Sequence, residues 1–256
     1  MNIICLNIWG GRAGKEKLLA FFEKYRDEAD IFCLQEVWAG RYESFEGVLA
    51  GGVPINHDNI MTHAFQEIST VLSEHEPFFR PSFFESYGLC MFVRKSFSVI
   101  EDGDVFVHQE RGHVPEGDIG KHARNLQYVT IKQEGTPQTV MNFHGLWNGK
   151  GKGDCPERLE QSDRIIEFAR SRTEPFVLCG DFNLTPDTES LAKLERASMR
   201  NLISEYGITD TRTSLYTKPV RYADYAFVSD GIQVQDFKVL PDEVSDHAPL
   251  FLTIAA

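Results

Sequence analysis

The sequence has no apolar run long enough to span a membrane, and its opening, "MNIICLNIWGG", lacks the charged start and small-residue cleavage site of a signal peptide. That opening is expected to be a strand of a cytoplasmic protein. Cysteine is scarce, five in 256 residues, and no two have CxxC spacing. Cys5, Cys33, Cys90 and Cys179 sit in apolar runs, so buried thiols are expected rather than disulfides or zinc. Positive charge is also short: 26 Lys and Arg face 38 Asp and Glu, a formal net charge of −12. That balance argues against a broad basic face for sliding on DNA. It leaves a phosphate substrate open, because site carboxylates can seat a divalent cation that supplies positive charge. Repeats, low-complexity tracts and Pro- or Ser-rich linkers are absent, and a single domain over 1–256 is expected.

What the chain does contain is many short apolar runs with a few helical stretches between them. The pattern predicts strands at 2–8, 30–36, 77–85, 88–94, 97–107, 124–133, 138–144, 175–181, 224–229, 233–240 and 249–254. Helices are predicted at 15–29, 60–75, 156–171 and 187–198, and a loop rich in Gly and charge at 108–122. "ADIFCL" and "EPFVLCG" read as strands buried on both faces. Two packed sheets covered by helices, an α/β sandwich, are expected.

Polar residues stand where these strands end. Asn7 closes "IICLN", Glu36 closes "IFCLQE" and His144 closes "TVMNFH". Asp181 and Asn183 follow "FVLCG" two apart, which in extended chain points both to one side. Asp224 opens "DYAFVS", and Asp246 and His247 open the last strand. A buried carboxylate left unpaired costs several kcal/mol. Such groups should therefore gather, to satisfy one another or to hold a metal. Trp9, Trp38 and Trp147, all the tryptophans of the chain, lie two or three residues beyond Asn7, Glu36 and His144. They are expected to form an exposed rim that binds substrate. "GGRAGKE" is not a P-loop: it has one residue too few between Gly10 and Gly14, and Glu16 stands where a Ser or Thr should be. "NGKGKGD" (148–154) reads as a flexible loop.

"LNIWG", "LQEV", "NFHGLW", "GDFN", "DYAFVS" and "SDHAPL" follow one another from residue 7 to residue 250. In this order they resemble the endonuclease/exonuclease/phosphatase superfamily, whose members are DNase I-like. The resemblance implies a four-layer α/β sandwich and Mg²⁺- or Mn²⁺-dependent hydrolysis of phosphate esters. It implies that Glu36 is the main metal ligand, with Asn7 beside the metal and Asp246 near it. It further implies that Asp181 orients or deprotonates the attacking water and that Asn183 and His144 contact the phosphate. His247 becomes the general base or a phosphate contact, its ring oriented by Asp224.

Substrate choice is less defined. Trp9 and His144 stand where abasic-site enzymes carry other residues, and the disulfides of secreted nucleases are missing. "ARNLQYV" is similar to a stretch of tyrosyl-DNA phosphodiesterases and makes Arg124 a candidate phosphate contact. A phosphodiesterase is expected, with a nuclease or a tyrosyl-DNA phosphodiesterase-like repair enzyme as alternative. From another class, a non-catalytic binding module that keeps the fold is a further alternative. A phosphate ester, with nucleic acid among the candidates, is the expected partner; no obligate protein partner is evident.

Overall fold

The unbroken apolar runs near the start form two adjacent parallel strands in the computed structural model, β1 (Asn2–Asn7) and β2 (Ile31–Trp38). Parallel neighbours need a crossover, supplied by α1 (Lys15–Tyr25), which buries Leu18, Phe21, Phe22 and Tyr25. The structure describes residues 1–132, 135 and 137–255. The predicted helix 15–29 stops early. Ala29 N–H bonds back to Tyr25 O in a closing turn, which leaves Asp30 to receive Asn2 N–H.

The remaining strands are β3 (Leu49–Ala50), β4 (Val53–Pro54), β5 (His75–Phe83), β6 (Tyr87–Arg94), β7 (Ser98–His108), β8 (Arg124–Lys132), β9 (Gln138–His144), β10 (Phe176–Asp181), β11 (Arg200–Asn201), β12 (Asp224–Val228), β13 (Val234–Val239) and β14 (Leu250–Ile254). The remaining helices are α2 (Ala64–Val71), α3 (Pro156–Ser171), α4 (Glu189–Arg196) and α5 (Leu202–Glu205). Of the strand predicted over 124–133, Gln133 lies outside the described residues. The helix predicted over 60–75 is shorter, because Met61 N–H bonds Gly10 O and holds 60–61 against the turn after β1.

Two six-stranded sheets result, ordered β13-β14-β1-β2-β6-β5 and β11-β12-β10-β9-β8-β7. Each has one parallel pair at its centre, β1/β2 or β9/β10, joined by a helical crossover, and all other pairs are antiparallel. Between the sheets lie Ile3, Cys5, Cys33, Met91, Leu126, Val140 and Cys179. Helices α1 and α2 cover the outer face of the first sheet, packing on Ile4, Leu6, Phe32 and Phe92. Helices α3 and α4 pack Ile165, Leu191 and Leu194 on the second. This is a four-layer α/β sandwich. The cysteines are free. Among the described residues no helix is long and apolar enough to cross a membrane.

The layers place the site. A parallel pair delivers the C-terminal ends of both its strands to the same edge of its sheet. Pairing sets Asn7 beside Gln35, and Asp181 beside both His144 and Asp224.

Candidate active site

Glu36 does not end its strand as expected. It adopts φ 58° inside β2, where the register to β6 slips between Leu34 and Val37. A non-glycine residue in this left-handed region is strained, and the bulge turns its carboxylate out of the sheet into a cleft. Asn183 has φ 56° and Trp9 φ 52°. Asp181 and Asn183 are thus not two steps of an extended chain. Instead Asn183 N–H donates to Asp181 Oδ1 at 2.9 Å in a tight turn, and Asn183 Nδ2 donates to Gly145 O.

Asn7 ties the two sheets together. Its Oδ1 accepts Trp9 N–H at 2.8 Å, which fixes the amide orientation. Its Nδ2 then donates to Glu36 Oε1 at 3.2 Å and to Asp181 Oδ2 at 3.0 Å. The closing segment docks from the other side. Ser245 hydroxyl donates to Asn7 O at 2.7 Å, and Ser245 Oγ in turn accepts His247 N–H. Thr211 hydroxyl accepts Ala223 N–H and Asp224 N–H, which sets the start of β12.

His247 Nδ1 lies 2.8 and 2.9 Å from the two oxygens of Asp224. Its Nε2 faces Asp181 Oδ2 at 3.5 Å, and His144 Nε2 faces the same oxygen at 3.7 Å. Burial alone would lower the His247 pKa, but Asp224 and then Asp181 lift it above the usual histidine value. Burial would raise Asp181, yet the positive groups around it, His247 foremost, hold it well below the usual carboxylate range. His144 is pushed down to about 3, by burial and then by the Arg124 guanidinium, and is neutral. His247 thus stands between two carboxylates that favour its charged form, beside a neutral His144.

Ligand atoms of Asp181, Asp224 and His247 lie within 4.8 Å of one another, close enough for a metal. His247 Nδ1 is already bonded to Asp224, however, so this group reads as a relay, hydrogen-bonded between Asp224 and His247 and with Asp181 facing Nε2 at 3.5 Å. The oxygens short of partners lie elsewhere. Asp246 Oδ1 is buried with no hydrogen bond among the described residues, while Oδ2 takes Arg212 at 2.9 Å. Glu36 Oε2 has Arg12 only at 3.9 Å. Carboxylate oxygens of this kind fit a hard divalent cation.

All three tryptophans line the cleft, but not as an exposed rim. Trp38 is 5% exposed and packs among Phe45, Ile55 and Phe83. Trp9 and Trp147 are half-buried, and Trp147 Nε1 donates to Gly51 O in the β3–β4 hairpin. The cleft holds about 320 Å³. Arg124 is 3% exposed, donates to Gly120 O, and leaves Nε and Nη1 without partners among the described residues. Sequence reasoning missed Lys152 and Arg212. Both are buried and line the cleft, but Lys152 sits in the glycine-rich segment expected to be a flexible loop, and Arg212 lies in a stretch without regular period.

The family model described as Endonuclease/Exonuclease/phosphatase family matches residues 4–247, a span that contains every residue singled out above from sequence. No curated protein sequence matches the chain. Among solved structures, a mannosyl-6-phosphatase of Bacteroides thetaiotaomicron superposes with TM-score 0.73 at 18% identity, with all of both chains covered. An endonuclease/exonuclease/phosphatase from Bacteroides vulgatus gives 0.71 at 18%, covering 99% of this chain and 98% of that one. D. rerio TDP2 complexed with single strand DNA product gives 0.66 at 15%, covering 100% and 99%.

Proposed function

Because the chain belongs to the endonuclease/exonuclease/phosphatase family, we propose that it is a divalent-cation-dependent hydrolase of phosphate esters, with Glu36, Asp246 and Asn7 as the cation's surroundings. The observation that carries this reading is the Asp224–His247–Asp181 relay set beside the Glu36 carboxylate and Asp246, whose buried Oδ1 has no hydrogen bond among the described residues. When bound, Mg²⁺ or Mn²⁺ supplies positive charge to the phosphate oxygens.

The protein's own groups do the rest. Asp181, held ionised, takes the proton of the attacking water as its oxygen bonds to phosphorus. Asn7 fixes the carboxylate that does this, and Asn183 and His144 offer N–H groups to the phosphoryl oxygens. His247, whose pKa Asp224 and Asp181 lift, acts as a phosphate contact. Asp224 holds its tautomer and favours its charged form. Donors already in place when charge builds on phosphate cost no reorganisation.

The solved neighbours include a mannosyl-6-phosphatase and a TDP2 bound to a DNA product, so the fold alone does not choose a substrate. The same catalytic groups serve monoesters and diesters, and the choice falls to the groups around the nonbridging oxygens. The test is hydrolysis of a panel of mono- and diesters with Mg²⁺ or Mn²⁺, with Glu36→Gln as control. Activity is expected with metal and lost in chelator. Undiminished turnover in excess chelator overturns the reading.

A further inference from the structure

Eight charged side chains line the cleft: Arg12, Arg124, Lys152, Arg212 and Lys218 against Glu36, Asp181 and Asp246. Cations are in surplus by two, inside a chain whose formal net charge is −12. Three of them are buried, and part of their hydrogen-bonding capacity is unspent. Among the described residues Arg124 leaves Nε and Nη1 unpaired, Arg212 leaves Nε unpaired although its Nη1 bonds Asp246 Oδ2 at 2.9 Å, and Lys152 Nζ has one acceptor, Tyr222 O at 2.5 Å. An unpaired buried cation is costly unless an anion completes it.

Lys152 and Arg212 meet at one place. Arg212 Cζ lies 4.2 Å and Lys152 Nζ 5.1 Å from the centre of the same Tyr216 ring. Burial and then Arg212 lower the Lys152 pKa to about 8, which leaves it charged at neutral pH. The wall they form is anchored. Lys152 O accepts Thr185 N–H at 3.0 Å, Arg158 Nη2 donates to Gly151 O at 2.9 Å, and Arg158 Nη1 bonds Gly153 O.

Resting on the hydrolase reading above, we propose that Lys152, with Arg212, binds the third terminal oxygen of a phosphoryl dianion and makes the site selective for phosphate monoesters over diesters. A monoester presents three terminal oxygens and close to two negative charges at neutral pH; a diester presents two oxygens and one charge. In a diester the third oxygen carries a second substituent. That substituent would meet the anchored 151–153 wall and leave Lys152 without an anion. Water adds to phosphorus, the P–O bond to the substituent breaks, one water proton passes to the departing oxygen, and the products are orthophosphate and the neutral alcohol.

The test compares p-nitrophenyl phosphate with bis(p-nitrophenyl) phosphate on wild type, Lys152→Gln and Lys152→Arg. Glutamine keeps a donor for Tyr222 O and removes the charge. Wild type should prefer the monoester in kcat/KM. Lys152→Gln should lose about 10- to 100-fold on the monoester and clearly less on the diester, and Lys152→Arg should restore most of the preference. Equal losses on both esters, or a wild type that prefers the diester, overturn the proposal. Calorimetry with orthophosphate and dimethyl phosphate reads the same selectivity without turnover. If neither ester is hydrolysed with either metal, the hydrolase reading fails while this binding arm still decides. Tighter orthophosphate binding that Lys152→Gln erases supports the subsite, and equal binding of the two anions removes it.

Discussion

The two ends of the central parallel strand pairs carry similar residue types and treat them in opposite ways. Where β1/β2 and β9/β10 begin, each carboxylate is matched by a guanidinium. Asp30 takes Asn2 N–H at 2.8 Å and Arg94 Nε at 3.1 Å. Glu174 takes Thr139 hydroxyl at 2.6 Å and Arg172 Nε at 2.7 Å. Where the same pairs end, Glu36 and Asp181 share an amide, Asn7, and arginine nitrogens stand without acceptors. One end spends its charges on holding the strands together. The other keeps them poised, at a cost in stability, for a ligand that completes them.

Substitutions at the two ends should therefore separate activity from stability. Asp181→Asn has the largest expected effect. It should lower kcat about 10²- to 10⁴-fold in steady-state assays; turnover within a few-fold of wild type would erase the contrast. Glu36→Gln should weaken divalent-cation affinity about 10- to 100-fold by calorimetric titration, and leave the melting temperature in chelator unchanged.

At the opposite end, Glu174→Gln should leave kcat alone and destabilise by about 2 kcal/mol, a Tm loss of about 4–8 °C by calorimetry. Burial would raise the Glu174 pKa, but Thr139 and Arg172 bring it down to about 2. A depressed carboxylate stabilises fully above its unfolded value. Its contribution is therefore present at neutral pH and lost as pH falls from about 4.5 toward 2, and the variant's pH–stability curve should be flatter in that window. Trp147→Ala should have the smallest effect, raising KM about 5-fold with kcat nearly unchanged, because Trp147 stands in the cleft wall with its indole N–H engaged by Gly51 O. A larger fall in kcat than rise in KM would place its indole in the chemistry.

Much of this arrangement could be read before any coordinates. The α/β class followed from short doubly buried runs, and polar residues closing such runs pointed to one edge of the sandwich, since burial forces them to meet. Asp224 and His247, expected as a pair, are 2.8 Å apart. What stayed hidden depends on φ > 0 or on irregular backbone. Nothing periodic in "LQEVW" marks a bulge at Glu36, and the 39–59 segment that builds the β3–β4 wall has no period at all. Lys152 misled because glycine-rich composition suggests freedom, whereas Arg158 and Thr185 pin that loop from the side. Trp38 misled because an aromatic beside a site residue can serve the core and the cleft at once.

The latch between Ser245 and Asn7 joins residues 238 positions apart in the chain. Contacts that distant form late, after most of the loop-closure entropy has been spent. Half of the relay, His247 with its backbone, arrives only when β14 has paired with β1 and this latch closes. A refolding molecule that has paired either sheet alone should show its strands by circular dichroism and still hydrolyse nothing, so recovered turnover should lag recovered secondary structure and mark the last step of folding.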